Sequence, residues 1–197
     1  LYKVGLLAKT IMKQFILIAT MLAAWFCKSQ TYTLRTYGIN FPKDSYVKDT
    51  KNELPAYEGT WKGTWDGKTI LITFRKVKKY LTHKVSNEYF RDMLIGKFKV
   101  MDQNNRILFD NSYLSDQDTK IEGWGFRKKD DRYSLNYHDK DICGLWGFIT
   151  IYFTDHTRSR LQWNFYEGSN LITPDCPYYN AAVFPQPLPK DLVLVKQ

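Results

Sequence analysis

From Glu58 to the C-terminus, apolar and polar residues alternate in short runs, each ended by turn-forming residues. The runs cover residues 58–65, 68–79, 93–101, 105–111, 119–127, 132–138, 145–154, 160–166 and 191–196. Between them stand Asp66-Gly67, Gln103-Asn104-Asn105, Lys129-Asp130-Asp131, Asp139-Lys140-Asp141, Asp155-His156-Thr157 and Glu167-Gly168-Ser169-Asn170. A period of two with short polar breaks is the pattern of antiparallel strands joined as hairpins. Sequence neighbours then become spatial neighbours, which makes the fold an up-and-down meander. So many strands leave exposed edges unless the sheet closes. An all-β barrel over residues 58–197 is therefore the predicted fold, with a two-sheet β-sandwich as the alternative.

The first run shows the alternation most plainly. In GTWKGTWDGK, Gly59, Trp61, Gly63 and Trp65 share one face while Thr60, Lys62 and Thr64 take the other. A helix would also align the two tryptophans, but two glycines and two β-branched threonines disfavour it. Asp66-Gly67 tolerates the positive φ angles of a two-residue hairpin, and Ile70, Ile72 and Phe74 continue the apolar face on the return strand.

Three segments depart from the rhythm. Tyr80–Asp92 mixes polar and apolar residues without a sustained period, which predicts a short helix or a long loop over a barrel mouth. Residues 174–189 hold five prolines and predict an irregular crossing before the last strand. Residues 30–57 show no period and predict an N-terminal arm or linker. The paired triplets Trp124-Gly125-Phe126 and Trp146-Gly147-Phe148 are read as glycine between two inward-facing rings, a packing device suited to a small barrel.

Before the arm, Phe15–Phe26 is an uncharged run of 12 residues that follows Met12-Lys13 and precedes Cys27-Lys28-Ser29. That is the layout of a signal peptide spanning residues 1–29, with residues 1–11 as upstream read-through and the mature chain starting near Gln30. As a helix the run would rise about 18 Å, short of the roughly 30 Å hydrocarbon core, so a stable membrane span is disfavoured. Lipid anchoring through Cys27 is the alternative route to the same exported, periplasmic or extracellular location.

Charge changes the picture little once the leader is set aside. The net charge is +9, but Lys3, Lys9, Lys13 and Lys28 lie in an acid-free leader, leaving 25 basic against 20 acidic residues, or +5. The basic residues gather at Arg75, Lys76, Lys78 and Lys79, a surface able to meet phosphate groups or, more commonly, to guard a strand from edge pairing. Export disfavours nucleic acid as the partner. Without Cys27, Cys143 and Cys176 remain; an oxidising compartment suggests one disulfide, and two buried thiols remain the alternative.

The motifs GTWKGTWDGK (59–68), KIEGWGF (120–126), DICG (141–144), ITPDCP (172–177) and PLPKDLVLVK (187–196) resemble a family of small exported bacterial proteins known only as a domain of unknown function. That resemblance brings no reaction, ligand or catalytic residue. The Gly59-Thr60-Trp61 triplet is also similar to the Gly-x-Trp of lipocalin-type barrels, which implies a lipocalin-like closure and an arginine near the barrel's end packed on Trp61, a partner that the sequence does not place.

Chemistry is sparse. His83, His138 and His156 sit beside turns, and in His138-Asp139-Lys140-Asp141 the acids suit the turn's own hydrogen bonds. No nucleophile elbow, zinc motif, phosphate loop or paired-Cys metal site occurs; acidic pairs such as Glu58 with Glu122 are the candidates for glycoside chemistry. The aromatics carry the functional expectation. Trp61, Trp65, Trp124, Trp146 and Tyr137 either fill the barrel, with Tyr133, Phe148, Tyr152 and Trp163, or line a pocket for a small apolar molecule or a glycan. The competing reading is a structural or interaction domain of the cell envelope that docks an envelope protein through its Lys-rich strand and Pro-rich tail. An enzyme is the third reading.

Overall fold

A computed structural model describes residues 12–13, 30–82 and 87–197. The leader, including Cys27, and also His83 lie outside the described residues apart from Met12 and Lys13. Among the described residues the chain runs β1 (Thr31–Thr33), β2 (Tyr46–Lys48), a 3-10 turn at Leu54–Tyr57, β3 (Gly59–Trp65), β4 (Lys68–Thr82), β5 (Tyr89–Met101), β6 (Ile107–Asp110), β7 (Ile121–Phe126), β8 (Tyr133–Asp139), a 3-10 turn at Lys140–Ile142, β9 (Leu145–Phe153), β10 (Arg160–Glu167) and β11 (Asp191–Lys196).

Eight of these strands close into an antiparallel up-and-down barrel in the order β3-β4-β5-β7-β8-β9-β10-β11. Two short pairings complete the ring, Gly96 with Ile121 between β5 and β7 and Lys196 with Trp61 between β11 and β3. The architecture is all-β and lipocalin-like, as the alternation predicts, and the sandwich alternative falls because both seams are hydrogen-bonded. The first hairpin also forms as predicted. Trp65 pairs with Lys68 across Asp66 and Gly67, whose φ angles of 45° and 71° are the positive pair that such a turn demands.

The interior is filled. Trp61, Ile70, Ile72, Tyr133, Leu135, Ile149, Ile151, Leu161, Trp163 and Leu194 are all fully buried in one contiguous core. Close approach is what Gly63 provides: a Cβ there would fall 2.5 Å from Leu192 Cδ2 and 2.9 Å from Leu194 Cδ2. Burial of rings this large contributes a few kcal/mol each and dominates the stability.

Both barrel ends are covered. The N-terminal arm, far from loose, lays β2 parallel to β5 and drops Leu54 and Tyr57 into the mouth, where Tyr57 stacks on Phe153 with centroids 4.4 Å apart. Two buried carboxylates fasten it. Asp49 accepts from the Glu53 and Leu54 amides and from Lys76 Nζ at 2.7 Å, while Asp92 accepts from the Tyr46 hydroxyl and the Asp49 and Lys79 amides. At the other end the Pro-rich crossing buries Leu188 and offers the Pro189 carbonyl to Trp163 Nε1 at 2.9 Å.

Two predicted features are corrected here. Within the stretch Tyr80–Asp92, where a helix or loop is expected, the described residues pair β4 with β5, Tyr80 opposite Arg91 and Thr82 opposite Tyr89. A bulge between Val77 and Tyr80, with Lys79 at φ 51°, shifts the register and hides the alternation. Nor do the two Trp-Gly-Phe triplets place both rings inward. Trp146 and Phe148 face outward around an inward Gly147, and Gly125 at φ 144° forms a bulge that turns Trp124 out while Phe126 stays buried.

Candidate functional site on the outer wall

Trp61 and Tyr137 belong to the packed interior. Trp61 Nε1 donates to the Tyr57 carbonyl at 2.8 Å, and Lys196 Nζ lies 5.3 Å from the ring centroid. The cation over Trp61 is thus a lysine, where the lipocalin likeness implies an arginine. Tyr137 packs edge-on against Phe165 at 5.7 Å and donates from its hydroxyl to Asp139 at 2.8 Å. Burial, reinforced by Asp139, holds that phenol well above the usual tyrosine range. Neither residue is open to a ligand. Trp65 is half-buried at the first hairpin, with Lys68 Nζ 5.5 Å from its ring centroid.

Of the basic run, Arg75, Lys78 and Lys79 are exposed and Lys76 is not. Arg75 pairs with Asp116, and the Lys76 side chain is 9% exposed against Asp49, which corrects its placement on the surface. Lys79 Nζ sits 5.5 Å from the Tyr46 ring centroid, and Lys78 is left exposed. Alternate faces of β4 plus the bulge send these four side chains in different directions. The proposed acid pair is likewise divided, since Glu58 accepts from the Lys76 amide and Glu122 from the Tyr80 hydroxyl. In His138-Asp139-Lys140-Asp141, Asp139 caps the 3-10 turn by accepting from the Asp141 amide at 3.0 Å, and Lys120 bridges both aspartates at 2.7 Å. Burial alone would lower the Lys120 pKa, but the two carboxylates outweigh it and raise it. Among the described residues no cluster suited to a metal ion is present.

The aromatics that remain accessible stand on the barrel's outer wall. Trp146, Phe148 and Tyr166 are 37%, 53% and 54% exposed. Register puts them together: Phe148 lies opposite Tyr166 on β10 and Asn136 on β8, and Trp146 lies opposite His138. Sequence reasoning names Trp146 but assigns Phe148 to the filling of the barrel and does not single out Tyr166, whose role depends on the β9–β10 register. The Trp146 ring is held in place. Its Nε1 donates to the Ser169 carbonyl at 3.1 Å, it lies over Gly168, and it meets Phe148 edge-on with centroids 5.6 Å apart. Behind it, Asn170 Nδ2 donates to the Cys143 carbonyl at 2.9 Å, and Cys143 is bridged to Cys176.

This aromatic wall adjoins a polar cleft of about 390 Å³, lined by Gln117, Lys120, Glu122, Asn136, His138 and Asp141. Asn136 and His138 belong to both, since their cross-strand partners are Phe148 and Trp146. A second cleft of about 480 Å³ lies between the arm, β5 and the β7 bulge, with Trp124 on its wall.

The profile of a family of unknown function, DUF6705, matches residues 12–197. The chain belongs to that family. No curated protein and no solved structure matches it. Membership agrees with the motif resemblance and assigns no activity, so function rests on the geometry of the site. Among the described residues no helix is long and apolar enough to cross a membrane, and the Cys143–Cys176 disulfide is compatible with an oxidising, exported location.

Proposed function

We propose that the protein is an exported glycan-binding module whose site is the outer wall of the barrel. The carrying observation is the continuity of the exposed Trp146–Phe148–Tyr166 surface with a polar cleft through Asn136 and His138. A sugar ring offers an apolar C–H face and an equatorial belt of hydroxyls, so it suits an aromatic plane beside amides, carboxylates and a cation. A lipid would need an enclosed apolar space, and the filled core offers none around Trp61 or Tyr137. Rigid rings cost little conformational entropy on binding. The Trp146 anchor to Ser169 and the disulfide behind it supply that rigidity.

The Phe15–Phe26 run and the cysteine pair together support the export part of this reading. Intact mass of material from the native host tests this part: a chain starting near Gln30 supports it, added lipid mass on Cys27 points to anchoring, and retention of Phe15–Phe26 refutes it. For the ligand, neutral oligosaccharides of several linkages are titrated by calorimetry against the wild type, Trp146→Ala and Phe148→Ala. Binding that either substitution weakens at least about tenfold supports the site. Binding untouched by both, or no binding across the panel, refutes it.

A further inference from the structure

The second cleft carries a different chemistry. Arg91 on β5 reaches into it among three rings, with its guanidinium carbon 5.7 Å from the Phe41 centroid, 5.5 Å from Tyr89 and 5.8 Å from Trp124. The cleft wall includes Tyr37, Asn40 and Asn87, and among the described residues that line it Arg91 is the single charge and no carboxylate appears. Arg91 Nε is buried with no hydrogen-bond partner among the described residues, and no ion pair there engages the guanidinium. Ring faces stabilise the positive charge but leave that N–H without an acceptor. Most other arginines here are matched: Arg35 to Glu53 and Asp131, Arg75 to Asp116, Arg106 to Asp102 and Arg127 to Asp130.

The backbone is built around this cation. Gly125 sits in the β7 bulge at φ 144°, and a Cβ there would fall 3.4 Å from Arg91 Nη1. The same bulge swings Trp124 to the outside, where it is 50% exposed beside the guanidinium. On the arm side, Asn87 Nδ2 donates to the Phe41 carbonyl at 2.7 Å and holds that wall. A planar cation with a missing acceptor, next to an aromatic face and amide groups, is complementary to a ring that bears a carboxylate.

We infer that the cleft between the N-terminal arm and the β7 bulge is a second binding site, specific for a ring compound carrying one carboxylate, with the acid on Arg91 and the ring against Trp124. The site shares no lining residue with the polar cleft beside Trp146, although both touch β7, and it does not depend on glycan binding there. Two sources share this chemistry, an acidic sugar and an aromatic acid.

The experiment uses the mature domain, with methyl glucuronide and indole-3-acetate as the two acids and methyl glucoside and indole-3-acetamide as their neutral counterparts. Affinity is read by calorimetry and site occupancy by the tryptophan indole N–H resonances, using Arg91→Gln, Arg91→Lys and Trp124→Ala. At least one acid binds at least about tenfold more tightly than its neutral counterpart and perturbs the Trp124 resonance. Arg91→Gln removes that preference, and Arg91→Lys restores part of it. Whichever acid binds identifies the source. Should Arg91→Gln fail to fold, Trp124→Ala at an exposed position still reports, because it weakens the acid at least about fivefold without changing the far-ultraviolet spectrum. Equal binding of acid and neutral forms, an acid whose affinity ignores both Arg91→Gln and Trp124→Ala, or no binding by either acid overturns the inference. Trp146→Ala leaves acid binding unchanged; a loss there also overturns it, by moving the acid to the outer wall.

Discussion

The interior and the outer wall of this barrel use the same residue types for opposite ends. Inside, Trp61 and Trp163 are fully buried, and each indole N–H is matched by a carbonyl of the segment that covers its end of the barrel, Tyr57 and Pro189. Outside, Trp146 also satisfies its N–H with a carbonyl, that of Ser169, yet keeps more than a third of its surface in water. The difference lies in what faces the ring. Leu194, Phe153 and Lys196 close over the interior rings, whereas the Trp146 ring rests on Gly168 and leaves its other side open. Under the proposed function, the anchored but uncovered ring serves recognition, while the anchored and covered rings serve stability.

The sharpest break of this comparison is Trp61→Ala. It removes the largest ring at the sealed end and should cost about 3–5 kcal/mol, read as the shift of the urea midpoint. A cost under about 1 kcal/mol would show that the interior is not sealed there. Next comes the bridge. Replacing both Cys143 and Cys176 by serine should cost roughly 3–4 kcal/mol by the chain-entropy estimate for a 33-residue separation. It should also weaken glycan binding, because the bridge braces the loop beneath Trp146, and lost stability with full affinity would uncouple the brace from the site.

Smaller effects separate the two populations further. Lys196→Ala removes the cation over Trp61 and should cost about 0.5–1 kcal/mol by thermal denaturation, with no effect on ligand titrations. Phe148→Ala should move stability by no more than about 0.5 kcal/mol while abolishing most glycan affinity, since the ring is largely solvated. A stability loss comparable to that of Trp61→Ala would reassign Phe148 to the fold.

What could be read from the chain follows from how local each feature is. The period of two, the Asp66-Gly67 turn and the polar breaks are set by residues within a few positions of each other, so the strands from β3 to β11, the first hairpin and the inward face of β3 were legible. The N-terminal arm was not, because β2 gains its order from pairing with β5, whose partner residues Phe90 and Arg91 lie more than 40 positions away. Lys76 and Asp49 look like ordinary surface charges in the sequence, and only the arm's docking buries them as a pair.

The sequence by itself determined an all-β meander, a family membership and a supply of aromatic residues. Tertiary structure decided which of those rings face water. Trp124, Trp146 and Phe148 sit in glycine-containing triplets that read as packing, and their direction was set by a bulge at Gly125 and by the phase of β9 against β10. A one-residue shift of phase exchanges the two faces of a strand, so an alternation that identifies a strand cannot by itself say which face the barrel encloses once both faces carry rings. Closure at Gly96–Ile121 and Lys196–Trp61 fixes that choice for every strand together, and with it the outer aromatic wall and the Arg91 cleft.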